Sequence, residues 1–162
     1  PGMKTMEELG IQNPQQVYQR WVRYVNEYEE GATPYEGVEQ MLATLQAQGV
    51  RQAAVSSKNR AQYHIDMVGN GLDRYMETAV LEEDTTLHKP NPAPLLECLK
   101  RLGLAPDQAL YVGDTPSDAQ AAQAAGMDFA YAKWNGVEQG RADSAAYVLY
   151  TPGQLLELFE SR

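Results

Sequence analysis

From Val38 onward, short apolar segments alternate with segments of helical pattern, and this alternation limits the fold more than any other feature. Residues 52–56, 77–81, 109–112, 128–132 and 147–149 read as strands. Between and around them, helices are expected over 38–48, 59–68, 91–102, 117–125 and 152–160. Several helix starts are written into the chain: Asn59 can cap the second, and Asn91-Pro92 combines a cap residue with a first-turn proline. Strands that alternate with helices form βαβ units on a parallel sheet. The strands are apolar on both faces, so helices must cover both faces of that sheet. The expected fold class is therefore α/β, a Rossmann-like parallel sheet with helices on both faces.

The region before Gly37 differs. Asn13-Pro14 opens a helix, and Val17, Trp21, Val25 and Tyr28 recur at helical spacing until Gly31. No strand pattern occurs there. Residues 1–33 are expected to be a separate helical piece and residues 34–162 the α/β unit. Pro1-Gly2 ahead of Met3 has the look of an expression-tag scar.

Composition removes several function classes. A chain of 162 residues makes one domain, or one domain and a small appendage. A net charge of −9 disfavours nucleic acid or an anionic membrane as partner. No apolar run is long enough to span a bilayer, and no signal peptide is visible. The single cysteine, Cys98, cannot form an internal disulfide, which favours a reducing, cytoplasmic setting. It sits in a helical pattern and reads as packing. With His64 and His88 as the only histidines, a structural zinc site is not expected.

Three strand-to-loop junctions carry polar groups. Ser56 and Ser57 end one strand, Lys89 lies in the proline-stiffened loop HKPNPAP, and Asp114 ends the strand ALYVG with Asp118 four residues on. A right-handed parallel sheet brings these junctions to one edge, where ligands of such sheets sit. A hydroxyl, an ammonium and one or two carboxylates suit a magnesium-bound phosphate. Asp118 also has a plain structural reading. Thr115-Pro116-Ser117-Asp118 fits a capping box, with Asp118 reaching back to the helix start. The cluster Glu82-Glu83-Asp84 reads as a solvated loop.

In this order, AVSSK, HKPNPAP and YVGDTPSD resemble the second, third and fourth motifs of the haloacid-dehalogenase-like (HAD) hydrolases. The phosphoglycolate-phosphatase and β-phosphoglucomutase branch is the most similar. The resemblance runs from about Thr33 to the C-terminus, and the helical piece before it is similar to the second half of that branch's cap domain. It implies a HAD-like core whose Ser56 hydroxyl bonds a phosphate oxygen while Ser57 offers its backbone N–H. Lys89 would balance charge between phosphate and nucleophile. Asp114 would bind Mg²⁺, with Asp118 a second acidic position, direct or through water. The implied function is hydrolysis of a small phosphorylated metabolite through an aspartyl-phosphate, or phosphoryl transfer as in the mutase relatives.

The family's first motif, Asp-x-Asp-Gly-Thr, supplies the nucleophile and the general acid and base. It has no counterpart here. The aspartates are Asp66, Asp73, Asp84, Asp107, Asp114, Asp118, Asp128 and Asp143, and no two lie two residues apart. The corresponding strand lies between the Ser56 strand and the Asp114 strand in the family, so its lack would split the sheet across its core. The expectation is that an N-terminal segment completes the sheet and that this chain is not stable alone. The alternative is a non-catalytic HAD-like domain that binds a phosphorylated ligand or a partner protein.

Overall fold

A computed structural model of the chain describes residues 32–134, 136 and 144–160. The helix expected before Gly31, and with it most of the proposed unit 1–33, lies outside the described residues. The elements in chain order are α1 (Val38–Ala47), β1 (Ala54–Val55), α2 (Arg60–Tyr63), β2 (Ala79–Val80), α3 (Ala93–Leu102), β3 (Leu110–Gly113), α4 (Pro116–Ala125), β4 (Asp128–Ala132), β5 (Tyr147–Leu149) and α5 (Gly153–Glu160). This is an α/β fold, and its strand pairings are parallel.

The strands form two sheets: β1 pairs with β2, and β3, β4 and β5 pair in that order. β1 and β2 are shorter than their apolar patterns. Backbone bonds nevertheless extend their contact at both ends, from Glu77 N–H to the Gln52 carbonyl (2.7 Å) and from Ser56 N–H to the Val80 carbonyl (2.9 Å).

Alternation along β3 and β4 divides the core into two layers. Leu110, Val112 and Ala130 face a cluster with Met41, Leu42 and Leu45 of α1 and Leu155 of α5. Tyr111, Phe129 and Tyr131 face the other way, against Leu95 of α3 and Ala119, Ala121, Ala122 and Ala125 of α4. Val55 of β1 joins this second cluster, so the two sheets share a core without sharing a ladder. The alanines of α4 let that helix lie close against β3 and β4. Gly126 ends it at φ 74°, a left-handed conformation that costs glycine little.

Three local readings need correction. Asn59 does cap a helix, in a capping box with Gln62, but only four α-helical residues follow before a π-helical turn over His64–Val68. The turn closes with Gly69 N–H on the His64 carbonyl, the wider spacing of a π-turn, as the chain runs into Gly69-Asn70-Gly71. At α3 the cap position is Pro92, not Asn91. Asn91 acts from one residue further back, its side chain accepting the Ala93 N–H at 2.9 Å. Glu82–Asp84 is a 3₁₀ turn, not a solvated loop. The Asp84 carboxylate is nearly buried because Arg60 and Arg101 reach it from two helices and Leu81 N–H donates to it.

One further contact fixes the start of the described chain. Both backbone groups of Ala32 are held by side chains from the π-turn region. Its N–H donates to Asp66 Oδ1 (2.9 Å), and its carbonyl accepts from Asn70 Nδ2 (2.7 Å). Asp66 also pairs with Lys58, just beyond β1. Lys58 is 43 % exposed, so the ion pair itself adds little, and the charged bond to backbone carries most of the effect. Asp66→Ala is expected to lower unfolding free energy by about 2 kcal/mol. Asp66→Asn, which keeps an acceptor for Ala32, should lose less than half of that; urea denaturation of the two variants checks this.

Candidate functional site

The carboxyl ends of β1 and β3 and the loop before α3 hold the residues singled out from sequence. The β3–α4 junction is closed by several side-chain hydrogen bonds. Thr115 caps α4, its hydroxyl accepting the Asp118 N–H at 3.1 Å, and Pro116 stands first in the helix. Asp118 reaches back as a capping box requires: its Oδ2 accepts the backbone N–H groups of Thr115 and Asp114, each at 3.2 Å. The structural reading of Asp118 is therefore correct in geometry.

The capping box leaves Asp118 Oδ1 for other partners. Lys89 Nζ donates to it at 2.6 Å, and the Tyr111 hydroxyl lies 3.1 Å away. Lys89 Nζ is also 3.0 Å from the Tyr111 oxygen. The Lys89 and Asp118 side chains are only 12 % and 7 % exposed, so this is an ion pair largely withdrawn from water. In the loop that carries Lys89, the Lys89–Pro90 peptide is cis and Asn91 N–H bonds the His88 carbonyl at 2.9 Å.

Gly113 makes the junction possible. A Cβ at this position would lie 2.6 Å from Asp118 Cβ and 2.7 Å from its Cγ and Oδ2. Only a residue without a side chain lets α4 start this close to the strand.

Ser56 and Ser57 follow β1 in a separate turn. The Ser56 hydroxyl accepts the Lys58 N–H at 3.2 Å, and Ser57 is partly buried beside it. Lys89, Asp114 and Asp118 are thus brought together directly. The Tyr111 hydroxyl lies 3.5 Å from the carbonyl of Val55, the residue before Ser56.

Comparison with known proteins decides the family. The family model for haloacid dehalogenase-like hydrolases matches residues 1–132. The chain belongs to this family. It is 34% identical over 127 residues to a candidate pyrophosphatase PpaX of Caldanaerobacter subterraneus subsp. tengcongensis, covering 77% of this chain and 58% of that protein. It is 34% identical over 125 residues to phosphoglycolate phosphatase of Pectobacterium atrosepticum, covering 74% and 53%. The chain therefore spans a little over half the length of these curated relatives. A crystal structure of a candidate phosphoglycolate phosphatase from Lactobacillus plantarum superposes with a TM-score of 0.89 at 29% identity, covering 98% of this chain and 77% of that one. The phosphoglycolate-phosphatase-like branch inferred from the motifs is the one these relatives represent.

The electrostatics of this HAD-like site follow from its burial. Withdrawal from water would raise the Asp118 pKa. The Lys89 charge and the hydrogen bonds from Lys89, Thr115 and Tyr111 outweigh that and hold the carboxyl below the usual carboxylate range. The Tyr111 phenol is pushed well up, first by burial and then by the Asp118 charge. Cys98, as read from sequence, is buried, and burial raises its thiol pKa.

Among the described residues no group of three or more His, Cys, Asp or Glu side chains could enclose a metal. Asp114 directly follows the end of β3, where a carboxylate could help to hold a cation. Asp118 accepts four donors, so its oxygens are better suited to orienting Lys89 than to direct ligation. Among the described residues no helix is long and apolar enough to cross a membrane.

One residue of the Lys89–Asp118 constellation, Tyr111, is not marked by the sequence: it reads as one more apolar strand residue, and only its place two before Gly113-Asp114 hints at the site.

Proposed function

We propose that the protein carrying this chain is a phosphatase-type HAD hydrolase acting on a small phosphate monoester. In this reading the chain supplies the phosphate- and cation-facing part of the active site. The observation that carries the reading is the Lys89 ammonium, held in a largely buried pair with Asp118 beside Asp114 at the strand ends. Ser56 would bond a phosphate oxygen with its hydroxyl, and Ser57 would offer a backbone N–H. Lys89 would meet the phosphate's negative charge, and Asp118 would aim that ammonium. Asp114 would hold Mg²⁺, with Asp118 behind it. Bound there, the cation supplies positive charge for the transferring phosphoryl group.

The nucleophile of the aspartyl-phosphate route is not among this chain's residues, which contain no Asp-x-Asp pair. The edges of β1 and β3 lie in separate sheets, bridged by the Tyr111 side chain. This arrangement supports our reading that a further strand, from a segment preceding the described residues, joins them and brings the nucleophile. The same lack of an Asp-x-Asp pair favours one other reading, a HAD-like domain that binds a phosphorylated ligand or a partner protein without turnover.

Hydrolysis of p-nitrophenyl phosphate by the protein carrying this chain separates the two. Turnover should require Mg²⁺, and Asp114→Asn should lower kcat/KM by about 100-fold or more. Turnover that is metal-independent, or equal in the variant, overturns the assignment of Asp114. No turnover together with binding of inorganic phosphate supports the second reading.

A further inference from the structure

We infer that Tyr111 is a positioning residue for Lys89, its hydroxyl fixing the direction in which the ammonium is presented. The inference rests on the reading of Lys89 as the cation that faces phosphate.

The ring alone does not explain a tyrosine here. It packs on the α3–α4 side of β3 and stacks obliquely on Phe129, with centroids 6.1 Å apart and planes at 40°. Phenylalanine would fill the same space without placing a hydroxyl among apolar side chains, which is costly unless the hydroxyl is bonded. The hydroxyl is bonded on more than one side. It accepts from Lys89 Nζ at 3.0 Å. Its single proton has two acceptors in reach, Asp118 Oδ1 at 3.1 Å and the Val55 carbonyl at 3.5 Å. The shorter contact, to a carboxylate, takes it. The phenol stays protonated at any ordinary pH, since burial and the Asp118 charge both disfavour phenolate.

The consequence concerns Lys89. An ammonium on a four-carbon stem, paired with a single carboxylate, can swing around that contact and rotate about its own terminal bond. Two partners in different directions remove both freedoms. Asp118 Oδ1 and the Tyr111 oxygen each take one N–H, and tetrahedral geometry then sets the third. Nζ also lies 5.6 Å from the Tyr111 ring centroid, so the ring's face adds to the restraint. Tyr111 touches no reacting atom in this scheme; it acts through Lys89.

The test follows the Lys89 ammonium in the folded protein carrying this chain, labelled with ¹⁵N-lysine. Its resonance is identified by its loss in Lys89→Arg. In Tyr111→Phe, which keeps the ring, hydrogen exchange at Lys89 Nζ should speed up about five-fold, the effect of losing one ordinary hydrogen bond. The shift induced there by inorganic phosphate should need about five-fold more phosphate to reach its midpoint. Exchange at the wild-type rate overturns the inference. If Tyr111→Phe does not fold, the wild-type hydroxyl proton decides. A slowly exchanging Tyr111 proton close in space to Lys89 supports the inference, and one that exchanges as in free tyrosine overturns it. Phosphate that shifts Lys89 in neither protein removes the phosphate-facing reading of Lys89, while the exchange rates still judge Tyr111.

Discussion

Asp118→Ala is expected to destabilise the folded chain by roughly 3 kcal/mol, at the lower end of the range for breaking a buried ion pair. The substitution leaves the Lys89 ammonium in a setting where it is only 12 % exposed, without the carboxylate that offsets its lost hydration. It also removes the acceptor for two backbone N–H groups at the start of α4. The lower end applies because Lys89 keeps some access to water and retains the Tyr111 oxygen. The double variant Lys89→Met with Asp118→Leu should recover more than half of the loss, since no charge is then stranded. Urea unfolding of the two variants measures both effects; a double variant as unstable as the single one would place the cost in the cap, not the charge. The pH dependence has a definite sign. The folded Asp118 pKa is lowered relative to the unfolded chain, so its stabilisation is fully present above the ordinary carboxylate value near 4 and fades as pH falls through the lower folded value. Asp118→Asn should flatten the stability profile in that acidic window.

Gly113→Ala should be comparably severe, costing about 3 kcal/mol, through overpacking instead of charge. The new methyl would meet Asp118 Cβ at 2.6 Å and its carboxylate at 2.7 Å. Asp118 cannot turn away without giving up Lys89 and the helix start together. Relief therefore requires the first turn of α4 to move off β3, carrying Asp114 with it. Under the proposed function, p-nitrophenyl phosphate turnover by the protein that carries this chain should fall at least as far as with Asp114→Asn, accompanied by a lower unfolding midpoint. A variant with unchanged turnover and midpoint would mean that α4 can shift freely, contrary to its close packing of alanines on β3 and β4.

How much of this was legible in the sequence depends on the range of the interaction. The α/β class came from alternation, which is a local signal. The Thr115–Asp118 capping box came from spacing alone and is found as read. Lys89 and Asp118 were placed at one edge by topology, and the direct 2.6 Å bond refines that placement. Contacts between distant segments were not readable. Asp84 reads as solvated because nothing near it in sequence marks Arg60 and Arg101 as its partners. Nothing in the sequence marks the Tyr111 hydroxyl, because a phenol and a phenyl ring suit the same apolar strand pattern. The π-turn after Tyr63 escaped because the same residues suit a longer α-helix, and the difference lies in how the turn closes on Gly69.

The division of the strands into two sheets has a consequence for the order of assembly. Each strand pairing joins neighbours in the chain: β1 with β2, β3 with β4, β4 with β5. Such ladders close short loops, and their entropy is small and is recovered early. The contact from Tyr111 to Val55 spans 56 positions and is made by a side chain, not by a ladder. By its sequence separation it is expected among the later contacts of folding. The constellation around Lys89 is thus completed only when two independently paired halves meet. A chain slowed at that meeting would hold its ladders and still lack its site.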